Sequence, residues 1–363
     1  MRRAARSVGG RLLFVVAPAA AIAGYGWVFV GRGPGRSDFW TFWIAGRTVL
    51  RGGDPYPALA SLPHVADKWF APFVYPPVTA FLMAPVAVLP FAIAKIVFFV
   101  LNLGAFVLAL RLLGVRDWRC YTVSVASPPV IETAGIGTIS LLLLLCVAAL
   151  WRYRAHAVRV GLLAAAAMTA KLFLWPLWFW LVRTGRYRAA LVGAGAALAA
   201  VAASWWAIGW AGLRDYPALL GRMTGLEGPH GYSLYALGRA AGVGNGLAAR
   251  AVTALGLVAL VVALRAFRDD RRALVALLGV ALAATPILWP HYLVLLFVPI
   301  AFASRSLSRI WFVPVLLWVD GTAWSHGSPL RIAGELVACV LVLGAVVAPA
   351  WRPSAIRVIP TEA

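Results

Sequence analysis

Long apolar runs separated by short polar links recur from one end of this 363-residue chain to the other. Hydrophobic residues make up 63% of the sequence and charged residues only 12%, and many runs are long enough to cross the hydrocarbon core of a bilayer. A chain inside a bilayer must satisfy its backbone hydrogen bonds internally, which an α-helix does within a single segment. The sequence therefore predicts an all-α polytopic membrane protein and excludes a soluble globular domain.

Arginine clusters between the apolar runs predict which links face the cytoplasm. The formal net charge is +21, but the arginines are dispersed in short groups rather than gathered into one basic region, so nucleic acid is not expected as a partner. The positive-inside rule assigns such groups, and with them both chain termini, to the cytoplasmic side. The clusters lie at residues 2–11, 152–159, 183–188, 265–272, 305–309 and 352–357.

Alternation between these clusters predicts about twelve transmembrane helices in a single membrane domain, residues 1–363. The first run, Leu12 to Val30, is interpreted as a retained signal anchor. A hairpin turning at Leu89-Pro90-Phe91 would place Arg111, Arg116 and Arg119 outside, and we accept this exception to the rule. The later predicted elements are hairpins at 160–183, 272–304 and 310–350, an outward span at 189–210 and an inward span at 249–266.

Two longer polar segments, residues 32–73 and 211–248, are predicted to form outer loops. Some hairpin legs are short: Val160 to Ala170 would extend only about 17 Å as a helix, which is less than the thickness of the hydrocarbon core. Turns at Thr169–Leu172 and Thr285–His291 would then lie below the outer surface. Irregular backbone at that depth must be enclosed by protein or line a water-filled cavity, so we expect an outward-facing cavity there.

Asp38 is the first acidic residue of a chain that has only 12 carboxylates. It follows the first apolar run and precedes Phe39–Leu50, whose aromatic residues and Arg47 favour an amphipathic helix in the membrane interface. Two interpretations stay open at this point. Asp38 is a reactive base held at the membrane surface, or Ser37 or Asp38 caps the helix, which is the commoner role.

Lys171 and His291 are polar residues at the two predicted recessed turns. Lys171 is the only charged residue between Arg159 and Arg183, and an ionisable residue at membrane depth is a candidate for function, here as a phosphate ligand. His291 could hydrogen-bond a phosphate or a sugar hydroxyl. The alternatives are a lysine that extends to the interface and an interfacial aromatic belt that includes a histidine.

No cofactor is expected; a divalent metal is the alternative left open, and the sequence gives it no support. The first outer segment offers Asp38, Asp54, His64 and Asp67 without the spacing of a metal site. The three cysteines also lack ligand spacing and are interpreted as packing residues. The acids within the apolar runs, Glu132, Asp320 and Glu335, are candidates for polar helix packing or for a proton pathway.

The order of these motifs resembles the family 87 glycosyltransferases, polyprenyl-phosphate-mannose-dependent mannosyltransferases of actinobacteria with a glycosyltransferase C-type fold. The resemblance covers residues 35–300. The matching residues are Asp38-Phe39, Gly52-Gly53-Asp54-Pro55-Tyr56, Tyr75-Pro76-Pro77, Ala84-Pro85, Leu89-Pro90, Lys171, Pro176 and Pro290-His291-Tyr292.

The resemblance implies an enzyme of the cell membrane whose site faces outward. It would transfer a sugar, expected to be mannose, from a polyprenyl-phosphate donor to a glycolipid or lipoglycan acceptor with inversion. Asp38 would be the general base. Lys171 and His291 would contact the donor phosphate, and we group Tyr75 and Arg47 with them as donor-site candidates.

The segment Gly135–Ser140 departs from the Gly-Gln-x-Asn type turn that the family usually has. Its amide side chains are missing, which bears on sugar or acceptor specificity. A lipid-linked sugar transporter or flippase, or a non-catalytic envelope scaffold, is therefore the alternative function. A transporter would be expected to have inverted repeats, and the sequence shows none.

Overall fold

The computed structural model describes residues 2–35, 37–62, 72–320 and 328–348. That part of the chain contains helices and no strand, which confirms the all-α prediction. The predicted C-terminal cluster at 352–357, and His64 and Asp67 of the first outer segment, lie outside the described residues. Cys120 and Cys339 are buried and Cys146 is half-buried, all as free thiols, as expected of packing residues.

Seventeen α-helices account for most of the described residues. The first nine are α1 (Arg2–Gly31), α2 (Asp38–Leu50), α3 (Pro77–Ala87), α4 (Phe91–Leu112), α5 (Trp118–Val125), α6 (Pro128–Ile136), α7 (Ser140–Arg152), α8 (Ala157–Ala170) and α9 (Pro176–Arg183). The other eight are α10 (Tyr187–Ala207), α11 (Tyr216–Glu227), α12 (Leu234–Ala240), α13 (Asn245–Ala266), α14 (Asp270–Ala284), α15 (Phe297–Ala303), α16 (Val313–Leu316) and α17 (Pro329–Val347).

Five of the described helices contain stretches long and apolar enough to cross a membrane. These stretches are Phe14–Gly31, Phe91–Leu112, Tyr187–Ala207, Asn245–Ala266 and Pro329–Val347. Large apolar side chains on them are more than half exposed, among them Leu191, Leu198, Val258, Val262 and Val340. Such side chains suit contact with lipid, because lipid tails are as apolar as the side chains themselves. The other apolar helices are shorter, and the count of twelve spans stays a prediction.

Helices α2 and α3 lie side by side at one end of the protein. Phe39, Phe42 and Trp43 of α2 are buried, so the aromatic side of the predicted interfacial helix packs against protein. The indole Nε1 of Trp43 donates a hydrogen bond to the Leu89 carbonyl just beyond α3 (3.1 Å). At the start of α3, the ring of Tyr75 lies 4.9 Å from that of Phe42. Both ends of α3 therefore contact α2.

The two polar segments predicted to lie outside contact each other through aromatic rings. Tyr56 of the first segment stacks on Trp205 at the end of α10, with ring centroids 5.3 Å apart. Its ring also meets Tyr216 of the second segment edge-on at 5.4 Å. The Tyr216 hydroxyl in turn donates a hydrogen bond to the Val74 carbonyl (3.0 Å). The second segment is itself largely helical, since α11 and α12 lie within it.

Helix α4 joins two chemically different ends of the protein. Near its start, the Lys95 ammonium donates a hydrogen bond to the Arg32 carbonyl (2.8 Å), close to Asp38 in the chain. At its end, Arg111 lines a hollow rich in arginine. The 22 residues of α4 extend about 33 Å as a helix. We call the two ends the Asp38 face and the arginine face.

The expected position of Arg111, Arg116 and Arg119 opposite the other basic clusters is wrong. Arg111 and Arg116 line the same hollow as Arg152 and Arg305, from clusters assigned to the cytoplasm. Arg119 pairs with Asp117 (2.9 Å), whose carboxylate also accepts a hydrogen bond from the Leu307 backbone N–H (3.0 Å). The physical reason is that α3 has only 11 residues and returns to α2. Among the described helices, α4 is thus the first after α1 that is long and apolar enough to cross a membrane, and the exception to the positive-inside rule is no longer needed.

Single cysteines test this arrangement. We expect Arg116→Cys and Arg305→Cys to react with a membrane-impermeant maleimide from the same side, and Arg214→Cys, which precedes α11, to react from the opposite side. All three arginines are exposed, so each substitution should be tolerated. The unsubstituted protein, whose native cysteines are buried or half-buried, measures the background. Labelling of positions 116 and 214 from one side would contradict the corrected path of the chain.

Candidate active site

Lys171 occupies a break between two helices. Its extended backbone (φ −144°, ψ 113°) ends α8, and a short 3-10 helix, Leu172–Leu174, follows. A break of this kind frees backbone carbonyls that need other partners. The Thr79 hydroxyl, from α3, donates a hydrogen bond to the Ala170 carbonyl (3.2 Å). The first predicted recessed turn is therefore an ordered break that α3 supports.

A second break follows α14, and His291 is the second residue of the 3-10 helix Pro290–Leu296 that comes after it. The second polar segment covers the irregular residues in between. The Ser233 hydroxyl donates to the Pro286 carbonyl (2.7 Å), and the Tyr232 backbone N–H donates to the Leu288 carbonyl (2.7 Å). Backbone groups at the break thus bond to protein, as a position at membrane depth requires.

The two breaks meet around the Lys171 ammonium group. Its Nζ lies 3.6 Å from the ring centroid of Tyr292 and 5.8 Å from that of Tyr75. The Tyr292 ring stacks on Phe173, with centroids 4.8 Å apart. Lys171 is only 3% exposed, so protein encloses its side chain and it does not extend to an interface. Its Nζ has no hydrogen-bond partner within the described part of the chain.

Ser37, and not Asp38, caps helix α2. Its backbone is extended, and its side-chain oxygen accepts a hydrogen bond from the Trp40 backbone N–H (3.3 Å). Asp38 is the first residue of the helix. A carboxylate in the first turn is favourably placed relative to the helix dipole. Ser37 therefore fulfils the capping function, which was the alternative to a chemical function for Asp38.

The Asp38 carboxyl group is close enough to Lys171 and Arg32 for their charges to interact. The Asp38 residue remains partly exposed, but the surrounding protein removes much of the water from its carboxyl group. This burial raises the pKa of Asp38 to about 6, and the positive charges of Lys171 and Arg32 act in the opposite direction. A carboxyl group of this kind can exchange a proton near neutral pH.

Glu132, on α6, brings a second carboxylate to the same region. Its Oε1 lies 3.6 Å from Nδ1 of His291, and the carboxylate accepts a hydrogen bond from the His291 backbone N–H. The other oxygen, Oε2, has no hydrogen-bond partner in the described residues. Both Glu132 and His291 are almost completely buried. The charge of Glu132 also interacts with those of Lys171 and Asp38.

Four separate parts of the chain thus bring opposite charges together at the Asp38 face. Asp38 comes from α2, Glu132 from α6, Lys171 from the first break and His291 from the second. Removing charged groups from water is costly unless they are paired. The arrangement has two carboxylates around one buried ammonium group, with Arg32 beside Asp38.

The turn that departs from the family pattern packs directly against the start of α2. Gly137 ends α6 with φ +71°, a conformation that side chains other than glycine rarely adopt. A Cβ at this position would lie 2.5 Å from the Phe29 ring and 2.7 Å from Cβ of Phe39. Gly137 therefore allows α6 to approach the residue that follows Asp38.

Arg47 lies apart from these groups. It is in the last turn of α2, where its guanidinium lies 4.8 Å from the Trp43 ring centroid. It lies nine positions along the helix from Asp38, a rise of about 14 Å. The structure thus brings Asp38, Lys171, His291 and Tyr75 together but leaves Arg47 at the far end of its helix.

Sequence reasoning missed three neighbours of Lys171 and Asp38. Arg32 belongs to the polar link after α1, and Tyr292 follows His291 directly. Glu132 stands out in the sequence as an acid within an apolar run, but its position in the site is not predictable because its partner His291 is 159 positions away in the chain. Buried Glu335 lies on α17, and the side chain of Asp320 lies outside the described residues. Within the described residues no group of three or more His, Cys, Asp or Glu could hold a metal ion.

Comparison with known proteins identifies one family. The model of glycosyltransferase family 87 matches residues 73–290, well over half of the chain. Tyr75, Glu132 and Lys171 fall inside the match, whereas Asp38 precedes it and His291 follows it by one residue. Neither a curated protein nor a solved structure matches the chain.

Proposed function

The chain belongs to glycosyltransferase family 87 and is a membrane glycosyltransferase, and we propose that it uses a polyprenyl-phosphate sugar as donor. The sugar we expect is mannose. The acceptor is a glycolipid or lipoglycan, and the reaction takes place at the outer face of the cell membrane, where the Asp38 face would lie if the arginine face is cytoplasmic.

The observation that carries this proposal is the buried Lys171 ammonium group, which has no hydrogen-bond partner in the described residues. A buried cation without such a partner is costly. A phosphate would supply charge-assisted hydrogen bonds. A lipid-linked donor can bring its phosphate to a site between helices while its apolar chain stays in the bilayer.

In the proposed reaction, an acceptor hydroxyl attacks the anomeric carbon of the donor sugar. Asp38 takes the hydroxyl proton as the new C–O bond forms. The bond between the anomeric carbon and the phosphate oxygen breaks, and polyprenyl phosphate leaves with the bonding electron pair. Attack opposite the leaving group inverts the anomeric configuration. A phosphate leaves without the general acid that an alcohol leaving group needs.

Lys171 would stabilise the negative charge that grows on the leaving phosphate. An interaction that strengthens during the reaction lowers the barrier more than one that binds substrate and transition state equally. His291 would donate a hydrogen bond to the phosphate or to a sugar hydroxyl, and Glu132 would hold the His291 backbone through its N–H. The rings of Tyr75 and Tyr292 limit where the Lys171 ammonium group can move.

Asp38→Asn tests the proposed base. Asparagine has nearly the same shape but accepts a proton poorly, and Ser37 would still cap α2. We expect transfer from a polyprenyl-phosphate sugar to fall by at least about 100-fold, the usual lower limit for loss of a general base. Asp215→Asn, at an exposed carboxylate before α11, is the matched control and should keep its activity. Near-normal transfer by Asp38→Asn would show that Asp38 is not the base.

The pH dependence of transfer gives a second test. Only the unprotonated carboxylate can accept a proton, and the pKa of Asp38 is about 6. We therefore expect kcat/KM to fall as the pH drops through 6, approaching tenfold per pH unit. Residual activity of Asp38→Asn should lack this step. A profile without a step between pH 5 and 7, or the same step in Asp38→Asn, would contradict the assignment.

The transporter and scaffold alternatives are distinguished by the same assay. A transporter or a scaffold would bind a lipid-linked sugar without forming a product. A glycosyltransferase releases polyprenyl phosphate in amounts equal to the glycoside formed. Measuring both products with the unsubstituted protein therefore separates the three functions before any variant is made.

A further inference from the structure

A hollow of about 350 Å³ opens on the arginine face, at the opposite end of α4 from Asp38. Six arginines line it, together with three apolar residues and one glycine. They come from the end of α4 and the link after it, the end of α7 and the link after it, the start of α14, and the link after α15. The lining residues are Arg111, Leu112, Leu113, Gly114, Arg116, Trp151, Arg152, Arg154, Arg271 and Arg305.

The acidic residues near this hollow are engaged by other groups. Asp269, whose charge acts on Arg271, accepts a hydrogen bond from the Arg272 backbone N–H (2.9 Å). The Asp270 carboxylate forms two short bonds with the Arg186 guanidinium (2.6 and 2.7 Å) and lies 3.4 Å from Nε of Arg154. Asp117 pairs with Arg119 and accepts the Leu307 backbone N–H. No carboxylate belongs to the lining. The hollow therefore has a large excess of positive charge.

Specific contacts hold the walls of the hollow in place. The Leu307 backbone N–H donates a hydrogen bond to the Asp117 carboxylate, which connects the segment after α15 to the segment after α4. The Arg305 guanidinium lies against Gly114, where an added Cβ would be 3.2 Å from Nε. Arg154 lies over the Trp151 ring at 4.1 Å. These contacts fix arginines from distant parts of the chain around one space.

The positive-inside rule explains why arginines occur on this face, but not why six of them converge. Like charges that share one hollow repel each other. Burial lowers the pKa of Arg271; the charge of Asp269 acts in the opposite direction, and the charges of Arg305 and Arg154 lower it further. A bound anion would offset this repulsion, which is why the convergence indicates a ligand.

We propose that this hollow binds a phosphate-bearing anion, at a site separate from the proposed transfer site. Arginine matches phosphate through paired hydrogen bonds, and the volume is near the lower end of the range for ligand pockets. The phosphate could belong to an anionic phospholipid headgroup or to a soluble diphosphate. Basic pockets between membrane helices bind lipid headgroups, and Leu112, Leu113 and Trp151 offer apolar surface beside the charges.

The test uses the full-length protein in neutral detergent and measures its dissociation constants for three probes. These are short-chain phosphatidylglycerol, inorganic diphosphate, and short-chain phosphatidylcholine as the zwitterionic reference. The pocket variant is Arg152→Gln with Arg305→Gln, since both side chains are exposed and line the hollow. The control is Arg159→Gln with Arg188→Gln, which removes equal charge from exposed arginines of the same region outside the lining.

We expect the unsubstituted protein to bind at least one of the two anions more tightly than phosphatidylcholine. The pocket variant should lose at least about tenfold in affinity for that anion, because two charge-assisted contacts disappear. The control should change by less than about twofold, as expected for exposed charges. Tighter binding of phosphatidylglycerol identifies the lipid source, and tighter binding of diphosphate the soluble one.

Three results would overturn the proposal. The first is that the unsubstituted protein binds neither anion. The second is that the pocket variant binds the anion as tightly as the unsubstituted protein, and the third is that the control variant loses as much affinity as the pocket variant. None of these binding measurements depends on transfer activity. The anion-binding test therefore stays valid even if the proposed transferase function is wrong.

Discussion

The enclosure of the Lys171 ammonium group is the constraint on which the organisation of the Asp38 face depends. An ammonium group at membrane depth must either reach water or be surrounded by groups that offset the loss of water. In this protein the ammonium group is surrounded by such groups. The carboxyl groups of Asp38 and Glu132 lie close enough for their charges to act on it, and the rings of Tyr75 and Tyr292 face the cation.

Each of these partners requires a particular feature of the backbone. Lys171 and Tyr292 meet because two helices are broken at matching depth, and the freed carbonyls bond to Thr79 and Ser233. Asp38 approaches because α2 packs on α3 at the same face. Glu132 is near because Gly137 lets α6 end close to the Phe29 and Phe39 side chains. The site is thus the meeting point of several irregular segments that a continuous helical bundle would not contain.

The two faces of the protein use charge in different ways. The Asp38 face balances cations with carboxylates, as suits a site that must hold a proton acceptor and an anionic leaving group together. The arginine face gathers cations whose nearby acids are engaged elsewhere. Helix α4 separates the two environments by about 33 Å, so ligands at the two faces would not contact each other.

Sequence patterns predicted the helical class, both breaks and the meeting of Asp38 with Lys171 and His291, since prolines, isolated charges and loop position are local signals. They did not predict the path of α3. Pro77–Ala87 has the composition of a membrane-spanning segment, and only its contacts with α2 show that it stays at one face. The position of Glu132 in the site was likewise not predicted, because its partner comes from a distant part of the chain. Arg47 is only nine positions from Asp38 in the sequence, but helical geometry places it in the last turn of α2.

The most direct measurement is the dissociation constant of polyprenyl phosphate for the Lys171→Met and Arg47→Met proteins. Methionine keeps an unbranched chain of similar length and removes the charge. Both variants lose one cation, but only Lys171 lies among the groups proposed to bind the donor phosphate. We predict at least about a tenfold loss of affinity for Lys171→Met and little change for Arg47→Met. Unchanged affinity of a folded Lys171→Met protein, or a larger loss for Arg47→Met, would contradict this prediction.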